Sequence, residues 1–277
     1  MAGRLQFKFP ILQFPLRKLA SALTNGGPGA IRYGEGKGLI FNAEFCNPGF
    51  LLGTSEPLEQ QMLAKLLKPG DVFYDVGANA GFYCVIAARL VGPEGKVYAF
   101  EPTPELADRV EENAGLNQFN HIEVIRVAVG DCDEEVKFGV GGGFSVSNSL
   151  NLATSESASI TVSCITLDRF FLEHRAPTLI LMDIEGAELK ALHGAMECIR
   201  KHLPTIMVEV HWIGDPFLQF YESYLRPLGY VATTYDGQPL PEGNVRFHCL
   251  LQVTNRIAPV STSSGAERFG DSRLERE

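Results

Sequence analysis

Between Val72 and Val210 the chain repeats one pattern: a short run of β-branched and aromatic residues, a longer segment, then another short run. VFYDV, KVYAF, TLILMD and TIMVEV are almost wholly apolar, as strands are when both faces of their sheet are covered. Phe82 to Val91 is apolar for long enough to be a helix packed on such a sheet, and Gly92-Pro93-Glu94-Gly95 ends it. Thr103 and Pro104 read as the N-cap and first turn of a helix to about Asn117. His121 to Val129 reads as a third strand and Ala187 to His202 as a further helix. Strands alternating with helices at these lengths imply right-handed crossovers and a parallel sheet. The expected class is therefore a doubly wound α/β fold, with ligands at the carboxyl ends of its strands. A helix through Leu58 to Leu67 precedes this core. A helix around Phe217 to Tyr224 and strands near Tyr230 to Thr234 and Val245 to Val253 follow it.

The 277 residues suffice for one such domain. We divide them into an N-terminal arm (1–35), a domain (36–253) and a tail (254–277) too poor in apolar residues to pack. Within the domain, residues 141–159 form a Gly/Ser-rich excursion between hairpin-like strands, read as a lid, a substrate loop or a plain surface loop. A net charge of −9 argues against a nucleic-acid partner, which would be met by a basic face. Six dispersed cysteines with no C-x-x-C pair read as small core residues in a reducing, cytoplasmic compartment. In the arm, charges and Pro10 and Pro15 interrupt every apolar run, so no signal core or transmembrane segment results. The arm reads as packing on the domain or, alternatively, touching an anionic membrane surface weakly.

DVFYDVGANAGFY, Asp71 to Tyr83, lies where a doubly wound fold places its first ligand turn. Gly77 allows a sharp turn, and Gly81 a close approach at the helix start, where N–H groups and the dipole favour anions. About twenty residues on, Glu101 ends its strand, placed to accept the two hydroxyls of a ribose. A dinucleotide would want G-x-G-x-x-G, but position 79 is Asn and position 82 is Phe. The spacing favours S-adenosylmethionine, whose amine Asp75 would accept directly or through water. Asp75, Gly77, Ala78, Asn79, Gly81 and Glu101 are the candidate cofactor residues.

A second group gathers at later strand ends. Asp183 ends LILMD, Glu185 and Glu188 flank Gly186, and VEVHW carries Glu209, His211 and Trp212. Asp183, Glu185 and His211 are the candidate catalytic groups; imidazole titrates near neutrality and suits a general base. Glu188 reads as a first-turn acid complementing its helix dipole. Asp183, Glu185, Glu209 and His211 also offer ligands for a divalent cation, but strand-end carboxylates are ordinary in this fold and no close ligand spacing appears. A cation is not favoured on these grounds.

GLIFNAEFCNPGFLLGTSEPLEQQMLAKLLKPGDVFYDVGANAGFY, YAFEPTPE, RVAVGD, TLDRF, MDIEGAELKALHGA and PTIMVEVHW occur in the order seen in FkbM-type methyltransferases. Over about Tyr33 to Val253 the chain resembles these class I S-adenosylmethionine-dependent enzymes, commonly O-methyltransferases of sugars and natural products. The resemblance implies a seven-stranded, mostly parallel sheet with an antiparallel last strand. It carries cofactor roles onto Asp75, Gly77, Asn79, Gly81 and Glu101 and implies that Ala128 to Asp131, at its ends Ala128 and Asp131, border the adenine. Where similar proteins show K-I-D-V-E-G, this chain has L-M-D-I-E-G, so Leu181 replaces a lysine. The expected activity is methylation of a hydroxyl on a small acceptor. A catalytically idle S-adenosylmethionine- or partner-binding module is the alternative, and the missing lysine leaves room for it.

Overall fold

The computed structural model describes residues 27–44, 46–139 and 159–253. The arm before residue 27, nearly all of the Gly/Ser-rich excursion and the tail lie outside the described residues. A two-stranded ladder, β1 (Gly29–Ala30) and β2 (Ile40–Phe41), opens the described chain, followed by helices α1 (Pro48–Leu52) and α2 (Pro57–Leu66). Then come β3 (Val72–Val76), α3 (Phe82–Val91), β4 (Lys96–Phe100), α4 (Pro104–Leu116) and β5 (Ile122–Ile125). A smaller unit follows: β6 (Ala128–Val129), β7 (Glu135–Gly139), β8 (Ser159–Ile165) and the short α5 (Leu167–Phe170). The chain returns through β9 (Leu179–Met182), α6 (Glu188–His193), α7 (Met196–His202), β10 (Thr205–Val210) and α8 (Gly214–Phe220). It ends in β11 (Tyr230–Thr234) and β12 (Phe247–Val253).

The main sheet has seven strands in the order β11-β12-β10-β9-β3-β4-β5. β3 is parallel to β4 and β9, β4 to β5, and β9 to β10. β12 inserts antiparallel between β10 and β11. This is the seven-stranded, mostly parallel sheet with an antiparallel last strand that the resemblance implies. All five residues of β3 are buried, the consequence of a central strand covered on both faces. Tyr74, Ile180, Met182 and Val208 pack towards α6 and α7, whereas Phe73, Leu179, Leu181 and Met207 pack towards α3.

Two elements depart from the sequence reading. The strand expected over His121 to Val129 breaks after Ile125: β5 joins the main sheet, while β6 pairs with β8 in a separate three-stranded sheet. At the break Arg126 turns out to Asp108 (2.8 Å) and Glu111 (2.9 Å) on α4. The N–H of Val127 folds back on the Ile125 carbonyl at 2.9 Å, a tight turn that takes it out of the ladder. The single helix expected over Ala187 to His202 is two. The Gly194 carbonyl accepts instead from the Asp168 N–H at 2.8 Å. The Asp168 carboxylate caps α7 from across the sequence, accepting from the N–H groups of Glu197 (3.0 Å) and Cys198 (2.8 Å). Smaller shifts occur too: the helix near Phe217 runs on as a π-turn over Tyr221–Leu225, and the last strand begins at Phe247. β7 and β8, which flank the excursion, pair antiparallel from Glu135↔Ser163 to Gly139↔Ser159, as its hairpin-like reading requires.

Candidate active site

The turn after β3 and the end of β4 are joined through one carboxylate. Glu101 accepts from the Asn79 N–H at 3.0 Å and the Thr103 N–H at 2.8 Å. The Thr103 side chain bonds Glu101 as well, and it does not cap α4 although it holds the N-cap position. These bonds set the carboxylate at the carboxyl end of β4, the position from which a ribose would be read. Asp75, the penultimate residue of β3, is 1% exposed and accepts from the Cys84 thiol at 2.9 Å. Burial pushes both acids up to about 7, against the hydrogen bonds from Cys84 on Asp75 and from Thr103 and Asn79 on Glu101.

The turn itself differs from expectation. Its amide groups are spent inside the protein: Gly77 and Ala78 donate to the Phe100 carbonyl (3.0 and 3.1 Å), and Gly81 to the Ala78 carbonyl (2.8 Å). Ala80 donates to the Asn79 side chain at 2.8 Å. The glycine at 77 answers to packing. A Cβ there would lie 2.1 Å from the Asp183 carbonyl oxygen, and φ is +93°. That near-contact sets the turn directly against the end of β9, where the second group of residues begins.

At that second group the structure gathers side chains from the end of β9, from β10 and β12, and from α2 and α6. His211, just past β10, is 3% exposed, and its Nδ1 lies 2.8 Å from Glu188 Oε1. Its Nε2 faces Glu185 Oε2 (3.5 Å), Asp183 Oδ1 (3.7 Å) and Glu209 Oε2 (3.8 Å). Both Nε2 and Asp183 Oδ1 are buried without a hydrogen-bond partner, although the Asp183 side chain as a whole is 35% exposed. The other Glu209 oxygen is held by Arg246 and by His248 at 3.2 Å. His248 also reaches Glu59 at 2.9 Å. Burial works against ionised Glu209, but the His248 and Arg246 bonds outweigh it and hold the carboxyl down at about 2. Burial disfavours a charged His248 too, yet Glu209 and Glu59 raise it to about 10, so it is a cation at neutral pH. Burial, then the charges of Glu209, Glu56 and Glu185, push Asp183 well above the usual carboxylate range. On His211, Glu188 and its neighbouring acids overcome burial and raise the ring.

Asp183, Glu185 and His211 are thus brought together, and Asp75, Asn79 and Glu101 form the adjoining half. Ala128 lies in β6, buried and paired with Cys164, and Asp131 follows it exposed on the surface. Leu181 is 3% exposed and is the register partner of Asp75 on the neighbouring strand. The lysine it replaces would therefore have stood beside Asp75, within the sheet. Glu188 stands in the first turn of α6 as expected; it is also fully buried, accepts from the Gly186 N–H at 2.9 Å and lies 2.8 Å from His211 Nδ1. Arg246, His248, Glu59 and the Glu56–Tyr83 pair were not found from sequence. Register alone brings His248 opposite Glu209, and nothing in the local sequence announces that pairing.

The model of the FkbM methyltransferase domain matches residues 75–232. The chain belongs to this family. Among curated proteins, the hexuronic acid methyltransferase AglP of Haloferax volcanii is 28% identical over 163 residues, 57% of this chain and 64% of that protein. A protein-L-isoaspartate O-methyltransferase of Ignicoccus hospitalis is 42% identical over 65 residues, 24% of this chain and 29% of the relative. The chain thus spans less than two thirds of either relative's length. A crystal structure of methyltransferase FkbM from Methylobacillus flagellatus is 18% identical with a TM-score of 0.43, covering 74% of this chain and 52% of that one. Among the described residues no helix is long and apolar enough to cross a membrane.

Proposed function

We propose that the protein transfers the methyl group of S-adenosylmethionine to a hydroxyl of a sugar-like small molecule. The observation that carries this is the contact of the two half-sites at Gly77 and Asp183, across the β3–β9 boundary where strand order reverses. On one side Glu101 and Asp75 suit a ribose and an ammonium. On the other, acids and an imidazole suit a hydroxyl that must lose its proton. In the reaction the acceptor oxygen forms a bond to the methyl carbon, and the carbon–sulfur bond breaks with its electron pair returning to sulfur. The hydroxyl proton passes to a nearby carboxylate. Asp183 and Glu185, 35% and 23% exposed, face the crevice more openly than buried His211. Since the electrophile arrives activated, alignment and exclusion of water supply most of the acceleration.

A sugar acceptor is supported by the hexuronic acid methyltransferase among the relatives and by Trp212. This indole follows His211, is 65% exposed and has φ +57°, a backbone strain that a non-glycine residue holds at a cost. It offers a flat apolar face at the rim of the site. Trp212→Ala is expected to raise KM for the acceptor roughly tenfold, with kcat little changed. An unchanged KM would remove the indole from acceptor binding. Six cysteines without a disulfide among the described residues support a cytoplasmic setting.

The deciding experiment incubates the full chain with S-adenosylmethionine and a panel of hexuronic acids, neutral hexoses and an isoaspartyl peptide, and follows S-adenosylhomocysteine. Its accumulation with a sugar, together with a methyl ether on the product, is the expected result. Tight cofactor binding with no turnover on any acceptor would instead mark a binding module.

A further inference from the structure

We infer that Asp183, Glu209 and His211 form a binding site for a divalent transition ion such as Mn²⁺ or Zn²⁺, with Glu185 at its open side. One ligand atom from each of the first three lies within 4.8 Å of the others. A cluster of acids alone would not suffice, and the imidazole supplies the independent observation. His211 is 3% exposed, yet its Nε2 has no hydrogen-bond partner and points into the three carboxylates. The gaps of 3.5 to 3.8 Å to Glu185, Asp183 and Glu209 are too long for good hydrogen bonds. They approach the ~3.4 Å between ligands that share a tetrahedral ion with bonds of about 2.1 Å.

The surroundings are those a metal-binding imidazole requires. With Nδ1–H donated in a hydrogen bond to Glu188 Oε1 at 2.8 Å, the neutral ring directs its Nε2 lone pair at the cluster. Glu188 is itself fixed by the Gly186 N–H at 2.9 Å. Glu209 is divided between two tasks: Arg246 and His248 hold Oε1, which leaves Oε2 turned towards His211. Two carboxylate oxygens with one imidazole nitrogen favour a transition ion over Mg²⁺ or Ca²⁺, which prefer oxygen throughout. The partly exposed Asp183 and Glu185 leave one side of the site open to the crevice. An ion there would hold the acceptor hydroxyl and ease its loss of a proton. That use rests on the methyl-transfer reading; binding of the ion does not.

The test is a Mn²⁺ titration of chelator-treated, full-length protein followed by electron paramagnetic resonance, with Zn²⁺ added as competitor. The expected result is one Mn²⁺ bound per chain and displaced by Zn²⁺. His211→Asn, Glu209→Gln and Asp183→Asn should each weaken it at least tenfold. Glu188→Gln, which touches no ion, should weaken it roughly tenfold or more by releasing the ring. Glu123→Gln, on the far edge of the sheet in a pair with Lys96, should leave it unchanged. If His211→Asn does not fold, Asp183→Asn, on a partly exposed side chain, carries the same test. No Mn²⁺ or Zn²⁺ bound at millimolar concentration, or binding indifferent to all three ligand variants, overturns the inference. Methyl transfer undiminished in excess chelator would remove the catalytic use of the ion and leave the reaction standing. Mn²⁺ bound at these residues without methyl transfer would do the reverse.

Discussion

Asp75→Asn is expected to stabilise the ligand-free protein near pH 8 while weakening its affinity for S-adenosylmethionine about a hundredfold. The carboxyl is buried at the end of β3, and burial moves it from an ordinary 3.8 to about 7. Between those values the folded chain holds a proton that the unfolded chain has released. This part of the stability is therefore complete below about pH 4, drains as pH rises, and is gone above about pH 7. The rise from 3.8 to about 7 corresponds to ~4 kcal/mol. Glu101, raised from 4.5 to about 7, acts in the same direction. The ligand-free protein should melt at lower temperature at about pH 8 than at about pH 5, and Asn at 75 should flatten that slope. Binding carries the opposite sign: an ammonium needs the ionised acid, so cofactor affinity should rise through about pH 7 and fail in the variant. Thermal melts and calorimetric titrations at the two pH values check both halves. A pH-independent melting temperature would show that Asp75 is not the buried acid described, and equal affinity in the variant would remove it from cofactor binding.

Gly77→Ala should be among the most destabilising single substitutions, costing roughly 3–5 kcal/mol. Its Cβ would sit 2.1 Å from a backbone carbonyl oxygen and 2.9 Å from Ile184 Cγ2, neither of them the far end of a flexible chain. The φ of +93° adds backbone strain. Relief requires β3 and β9 to part at the point where the two half-sites meet, so activity should fall with stability. Gly70→Ala separates the two contributions: φ is +89°, but no atom lies within 4 Å of its Cβ position. It should cost only the strain, about 1–2 kcal/mol. Denaturant unfolding compares them; similar costs for both would mean that the contact with Asp183 is soft.

Much of this was legible before any coordinates. VFYDV, KVYAF, TIMVEV and the helix Phe82–Val91 occupy the residues their composition indicates, because a strand covered on both faces leaves a nearly continuous apolar run. The turn and Glu101 could be placed at one crevice because strand ends in a parallel sheet share an edge. Where the reading failed, a distant residue decided. Arg126 pairs with Asp108 and Glu111 where the third strand breaks, and Asp168 starts a new helix where periodicity runs on.

The site divides in the same way. That acids and an imidazole stand at neighbouring strand ends follows from local pattern and chain order alone. What each does depends on packing across the sheet. Glu188, a first-turn acid of its helix, also meets His211 at 2.8 Å once β10 lies alongside, and Gly77 must also leave room for the Asp183 carbonyl. His248 becomes part of the site only because β12 runs antiparallel to β10 in the register that sets it against Glu209. Local sequence encodes the period and the direction of a strand. Which side chains meet across strands depends on register and on crossovers many residues long, and these are fixed by packing of the whole core.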